Sequence, residues 1–378
     1  MSGIYIHIPF CKQACHYCNF HFSTTRHEQD AMVAMLQREI ELRADYLADR
    51  HLHSIYLGGG TPSLLKEEEI NALFATIYRL FSVDEHAEIT LEANPDDLTV
   101  AKLNELRRTP INRLSVGIQS FFNEDLIFMN RAHNAQEAEV CIARARDAGF
   151  ASFTIDLIYG SPTTTDERWR HNLHRAFALE IPHISCYCLT VEPRTALDHF
   201  VRQGKVSPVD EEQSARQFEL MLQEMQDHGY EQYEISNFAR QGQYAKHNTA
   251  YWQGKPYLGI GPSAHSYDGI SRQWTVANNA RYIREMQRAD THMPRGLYTR
   301  EEIDPVTKYN EYIMTGLRTK WGVDLRQIPK KYVDYFQQEA ARHLRAGMME
   351  INEGHYRLTA AGRLIADRLT IDLFYDGT

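Results

Sequence analysis

Cysteine is scarce in this 378-residue chain, with six in all, far too few for a disulfide scaffold. No apolar run approaches the roughly 18 residues that a membrane helix needs. An excess of positive charge is missing too. Against 41 Lys and Arg stand 50 Asp and Glu, a formal charge of −9, and affinity for a nucleic-acid backbone comes from clustered cations displacing counterions. No nucleic-acid partner and no transmembrane segment are therefore expected. The first twenty residues also lack the apolar core of a secretory signal, since His7, Pro9 and three cysteines interrupt them. A cytoplasmic protein with reduced thiols is the expectation. With 43% hydrophobic and 24% charged residues, 21 Gly and 13 Pro, the composition is ordinary and globular, and the length suggests two or three domains.

The first half alternates strand and helix patterns. Short β-rich runs occur at Gly3-Ile8, Ser54-Leu57, Glu88-Leu91, Arg113-Ile118, Phe153-Ile158 and Ile184-Leu189. Between them lie helical spacings, as in Met32, Met35, Leu36, Ile40 and in Ile70, Leu73, Phe74, Ile77. Six such units imply a parallel sheet with crossover helices, either closing toward a barrel or opening as a doubly wound sheet. The alternation stops near residue 195. A helix over Glu211-Asp227, a mixed aromatic stretch, and then helices at Asp304-Thr319, Val333-Ala346 and from Ala360 follow, the last three around an extended pair in a winged-helix outline.

Three of the six cysteines fall in one loop. Cys11, Cys15 and Cys18 form C-x-x-x-C-x-x-C directly after the first strand, and three converging thiolates suit an iron-sulfur cluster or zinc. Zinc would want a fourth ligand, which His16 or His21 could offer. Cys186 and Cys188, alternating along the sixth strand, and Cys141 in a helix read as core residues.

This spacing, with an aromatic residue, Tyr17, before the last cysteine, resembles the radical S-adenosylmethionine (SAM) superfamily. The string Tyr5-x-His7-Ile8-Pro9-Phe10-Cys11 is similar to its coproporphyrinogen dehydrogenase branch. The resemblance implies a partial (β/α)6 barrel and a 4Fe-4S cluster on Cys11, Cys15 and Cys18 whose free iron chelates SAM. It further implies that SAM lies against Tyr5, Tyr17, Gly59, Gly60, Thr61, Glu92, Gln119, Arg131 and Asp156. Those positions stand in Gly58-Gly59-Gly60-Thr61-Pro62, Glu92-Ala-Asn94-Pro95, Gln119-Ser, Asn130-Arg131-Ala-His133 and Ile155-Asp156-Leu, mostly where strands end and barrels place their chemistry.

Within the family, the dehydrogenases continue the cysteine motif to a fourth cysteine where this chain has Phe20, and they carry an N-terminal extension before the first strand. His247-Asn248-Thr-Ala-Tyr251-Trp252 instead resembles the H-N-x-x-Y-W signature of the heme chaperone branch. That resemblance implies heme as a further cofactor, bound by His247, Tyr251 and Trp252 with His265 as a second candidate ligand, together with a heme-accepting protein and an electron donor for the cluster. A neutral imidazole is a common axial ligand, and aromatic rings can cover a porphyrin. The expected domains are a radical SAM partial barrel at 1–195, an α+β region at 196–300 carrying the H-N-x-x-Y-W motif, and a winged-helix-like segment at 301–378. The expected function is heme binding and delivery without catalytic residues for decarboxylation. The alternatives are an oxygen-independent coproporphyrinogen III dehydrogenase and a radical SAM methyltransferase or heme-degrading relative.

Overall fold

Strand alternation accounts for the architecture. In the computed structural model, which describes residues 2–377, β1 (Ser2–Ile8), β2 (His51–Gly59), β3 (Ser82–Ala93), β4 (Arg113–Gln119), β5 (Ser152–Tyr159) and β6 (His183–Cys188) lie side by side in sequence order. Each runs parallel to the next. Their apolar positions face one way: Ile4, Ile6 and Ile8; Ile89 and Leu91; Phe153, Ile155 and Leu157 form one buried cluster with Met32, Leu36, Ile40, Ile70, Leu73, Phe74 and Ile77 of the crossover helices. The residues between them, Tyr5 and His7, Glu88, Thr90 and Glu92, Thr154 and Asp156, take the opposite, concave face because successive side chains on a strand alternate. The result is a half-barrel with an apolar outer wall and a polar interior.

The barrel does not close on itself. The expected α+β stretch at 196–300 instead extends both edges of the sheet. β8 (Asn237–Arg240) pairs antiparallel with β6 and carries β7 (Tyr230–Glu234) on its outer side, while β9 (Tyr257–Ile260) runs parallel to β1 and leads into β10 (His265–Tyr267), β11 (Ser271–Thr275) and β12 (Tyr298–Glu302). Twelve strands thus form one sheet, and Leu258, Ile260, Tyr282 and Phe238 belong to the same core as the barrel. These edge strands escaped the sequence pattern because each has only three to five residues and most mix polar with aromatic positions. β2 also starts three residues earlier than its apolar run, because His51 and Leu52 pair with Ser82 and Val83.

Residues 305–371 build a second core around Tyr309, Ile313, Tyr332, Phe336 and Leu369, with β13 (Val323–Asp324), β14 (Met349–Asn352) and β15 (His355–Leu358) in a small antiparallel sheet. It docks on the barrel edge: Lys320 N–H donates to Tyr233 O at 3.0 Å and Arg363 to Gln232 Oε1 at 2.6 Å. Among the described residues no helix is long and apolar enough to cross a membrane.

Candidate active site at the mouth and floor of the half-barrel

The cysteine loop lies across the carboxyl ends of β1 to β5. Backbone bonds between Cys11 and Ser23 (3.0 Å) and between Ser23 and Pro9 (2.9 Å) close its base. Its far side is pinned by Gln13 Nε2 to Asn130 Oδ1 (2.8 Å), Asn130 Nδ2 to Ala14 O (2.7 Å) and His16 Nδ1 to Phe128 O (2.8 Å). All three thiols are free and half-buried. Burial pushes the Cys11 thiol up to about 11 and raises Cys18 as well, so a cluster that takes three thiolates must displace protons on binding. His16 Nδ1 is engaged by Phe128 O and His21 Nε2 by Asn279 Oδ1 at 2.7 Å.

Arg131 organises this mouth. Its guanidinium donates to Cys15 Sγ (3.3 Å), Tyr17 Oη (3.5 Å), Asn94 Oδ1 (2.6 Å) and Gly117 O (2.8 Å), and Asn94 Nδ2 passes the link to Thr61 Oγ1 (3.3 Å). The glycine turn fits beneath the loop. Gly59 has φ +100° and its missing side chain would strike the His7 ring, while a Cβ on Gly60 would come within 2.6 Å of two carbonyl oxygens, Ile8 O and Phe10 O. Only glycine lets the backbone lie there. Gly59 N–H donates to Glu92 Oε2 (3.1 Å) and Tyr56 Oη to Glu92 Oε1 (2.7 Å). Gln119 sits at φ +66°, an uncommon conformation for a side-chain-bearing residue.

Two buried polar atoms in this mouth, Gln119 Oε1 and Arg131 Nε, have no protein partner. Buried polar groups are normally paired. Together with three soft thiols, two half-buried carboxylates and a glycine cradle, these orphans fit a polar, partly cationic ligand beside a cluster. Burial pushes Glu92 up to about 7, with the Asp156 charge adding to it, and burial pushes Asp156 up to about 6. All nine residues expected around SAM line this concave face or its mouth. The Tyr5 hydroxyl meets His7 Nδ1 at 3.1 Å and its ring stacks on Tyr56. Tyr56, and the role of Asn94 as the bridge between Arg131 and Thr61, were not singled out from sequence. The alternation of Tyr56 with Ile55 and Leu57 would have put Tyr56 on the polar face.

The H-N-x-x-Y-W motif lies at the opposite end. Lys246–Trp252 forms a short helix that plugs the floor of the half-barrel, with the Lys246 and His247 N–H groups capped by Glu88 (2.9 and 3.0 Å). His247 is buried between Gly3 and Ser54 and stacks on Tyr56 with ring centres 5.2 Å apart. Its Nδ1 meets Ser54 Oγ at 2.8 Å and its Nε2 meets Tyr251 Oη at 2.8 Å. Burial, with Arg113 nearby, pushes it down to about 3, so the ring is neutral. Both nitrogens being taken, His247 presents no lone pair to an incoming iron in this structure. Asn248 reaches Tyr233 Oη (3.3 Å), and Arg318 lies over the Trp252 ring at 5.9 Å. His265 is exposed, stacked on Trp274 across the β10–β11 pair and away from the motif helix.

Residues 5–176 match the radical SAM superfamily and residues 303–365 the HemN C-terminal domain. The chain is 33% identical to the heme chaperone HemW of Bacillus subtilis over 98% of both chains, and 31% identical to that of Mycobacterium tuberculosis over 97% of this chain and 93% of the relative. The solved structure of coproporphyrinogen III oxidase (HemN) from Escherichia coli, a radical SAM enzyme, superposes with a TM-score of 0.83 at 25% identity, covering 99% of this chain and 90% of that one. A 4Fe-4S cluster and SAM are the cofactors of that superfamily. By its length of match and its motifs, the chain belongs to the HemW heme chaperone family within the radical SAM superfamily.

Proposed function

We propose that this chain is a cytoplasmic heme chaperone that binds heme and passes it to acceptor proteins, while carrying a 4Fe-4S cluster on Cys11, Cys15 and Cys18 and SAM against the concave face. The observation that carries this reading is kinship over nearly the whole length with relatives named heme chaperones. Cys11, Cys15 and Cys18 would hold the cluster, which when bound and reduced would supply one-electron chemistry toward SAM. The chain's own residues do the holding. Arg131 orients Tyr17 and Asn94 and offers its unpaired Nε to a carboxylate, Gly59 and Gly60 admit the ligand backbone-close, and Glu92 and Asp156 accept from hydroxyl groups.

A second reading, coproporphyrinogen III dehydrogenase, is favoured by the fold match to HemN. Against it stands Phe20, an exposed side chain that can neither ligate metal nor carry a proton, at the position where the dehydrogenase pattern has its fourth cysteine. Heme titration of the reconstituted chain should give a saturable Soret shift at about one heme per chain. Absence of any saturable band would remove the chaperone reading.

Only an ionised carboxylate accepts from two hydroxyls without donating a proton. With both groups raised by burial, each is protonated below its shifted value, so SAM affinity should rise with pH between about 5.5 and 8. Glu92→Gln or Asp156→Asn should flatten that profile and weaken binding by about 1.5 to 3 kcal/mol. Equilibrium dialysis across pH is the measurement, and a flat wild-type profile would count against the placement.

A further inference from the structure

We propose that His51, His53 and Asp84 hold a zinc ion at the foot of the half-barrel, away from the cysteine mouth, with water completing its coordination. This ion is additional to the cluster and independent of heme. The site starts from strand register. His51 and His53 stand two apart on β2, so their side chains leave the strand on the same side. On β3 the pairing slips: Leu52 meets Val83 but Ser54 meets Glu88, so residues 84–87 bulge out opposite His53. The bulge brings Asp84 to both imidazoles, its Oδ2 lying 3.5 Å from His51 Nε2 and 3.3 Å from His53 Nδ1. The three donor atoms all lie within 4.8 Å of one another.

The spacing is that of metal ligands. His53 Nδ1 is near the carboxylate oxygen without the alignment of a hydrogen bond, as two donors that share a third atom would be. Zinc bonds of about 2.0 to 2.2 Å at tetrahedral angles separate neighbouring donors by about 3.3 to 3.6 Å, and both N···O distances fall in that interval. Octahedral magnesium would need about 2.8 to 3.0 Å and takes oxygen donors. Two of the ligands are also held from behind. Ser82 Oγ meets His51 Nδ1 at 3.2 Å, which leaves Nε2 toward Asp84, and His86 N–H donates to Asp84 Oδ1 at 2.7 Å, which leaves Oδ2. Such partners orient ligating side chains. All three side chains are half-exposed, and His53 and Asp84 border a cleft of about 450 Å³ through which water can reach the ion. Lys246, on the same cleft, has its ammonium engaged by His86 O at 2.7 Å. A second group, His174, Glu224 and His228, lacks this arrangement: Glu224 already pairs with Arg170 at 3.1 Å and hydrogen-bonds His174 at 2.9 Å, and His228 Nδ1 is taken by Glu224 O at 2.8 Å.

The test uses the full chain with its cluster reconstituted, so that Cys11, Cys15 and Cys18 are occupied, after desalting into metal-free buffer. Zinc chloride titrated in competition with a chromophoric chelator should fill about one site per chain. Ser82→Ala should weaken that binding about 10- to 100-fold, the usual cost of losing the partner behind a ligand. His51→Ala, His53→Ala and Asp84→Ala should each weaken it further, beyond about 100-fold, with iron content unchanged in every variant. Zinc should also slow amide exchange across residues 84–87 in the wild type and not in His53→Ala or Asp84→Ala, a response that an ion pair already formed without metal would not give. Zinc bound at wild-type affinity by His53→Ala and Asp84→Ala would overturn the assignment, and so would a cluster-loaded wild type that takes up no zinc.

Discussion

Replacing Cys11, Cys15 or Cys18 with alanine is expected to give a folded chain that holds no cluster. The loop does not depend on its thiols for its path, since Ser23, Asn130 and Phe128 fix it through backbone and amide contacts. None of the three cysteines belongs to the apolar core. Loss of one ligand leaves two thiolates for a cluster that the motif supplies with three, so assembly should fail rather than weaken. After anaerobic reconstitution the wild type should contain about four irons and four sulfides per chain, and each variant close to none with an unchanged unfolding midpoint. Wild-type iron content in any of the three would refute the assignment. So would tight stoichiometric zinc in place of iron.

The second large effect is expected at His247. Truncation to alanine empties a buried ring site and strands two hydroxyls, Ser54 Oγ and Tyr251 Oη, that now pair with it. Removing a buried aromatic ring costs about 3 to 5 kcal/mol by analogy with Phe→Ala. The damage should travel. His247 stacks on Tyr56, and Tyr56 donates to Glu92 Oε1, so SAM binding at the opposite end of the barrel should weaken in step with stability. Denaturant unfolding and SAM dialysis on His247→Ala measure both, and His247→Gln, which keeps a hydrogen-bonding group there, should recover part of each. Heme loss with stability and SAM affinity untouched would instead make His247 a direct ligand.

The half-barrel was legible because period-two alternation writes its two faces into every strand. Ile89 and Leu91 against Glu88, Thr90 and Glu92 is one instance, and the cysteine loop announces itself by spacing. Two things were not legible. Contacts between distant residues, such as Ser54 with His247, 193 positions apart, leave no local pattern, so the motif alone does not tell a buried histidine from an exposed one. The grouping of His51 and His53 on β2 with Asp84 from the neighbouring strand was hidden for a similar reason.

The claim that a radical SAM fold here serves heme handling rather than porphyrinogen decarboxylation meets its most direct test in one anaerobic assay. The reconstituted chain is incubated with coproporphyrinogen III, SAM and a reductant, and protoporphyrinogen is quantified over time. Product at the level of the no-protein control is expected, because Phe20 occupies the fourth-cysteine position of the dehydrogenase pattern with a side chain that has no ligating or acid-base group. Sustained multiple-turnover formation of protoporphyrinogen would contradict the account and assign the chain to the dehydrogenases.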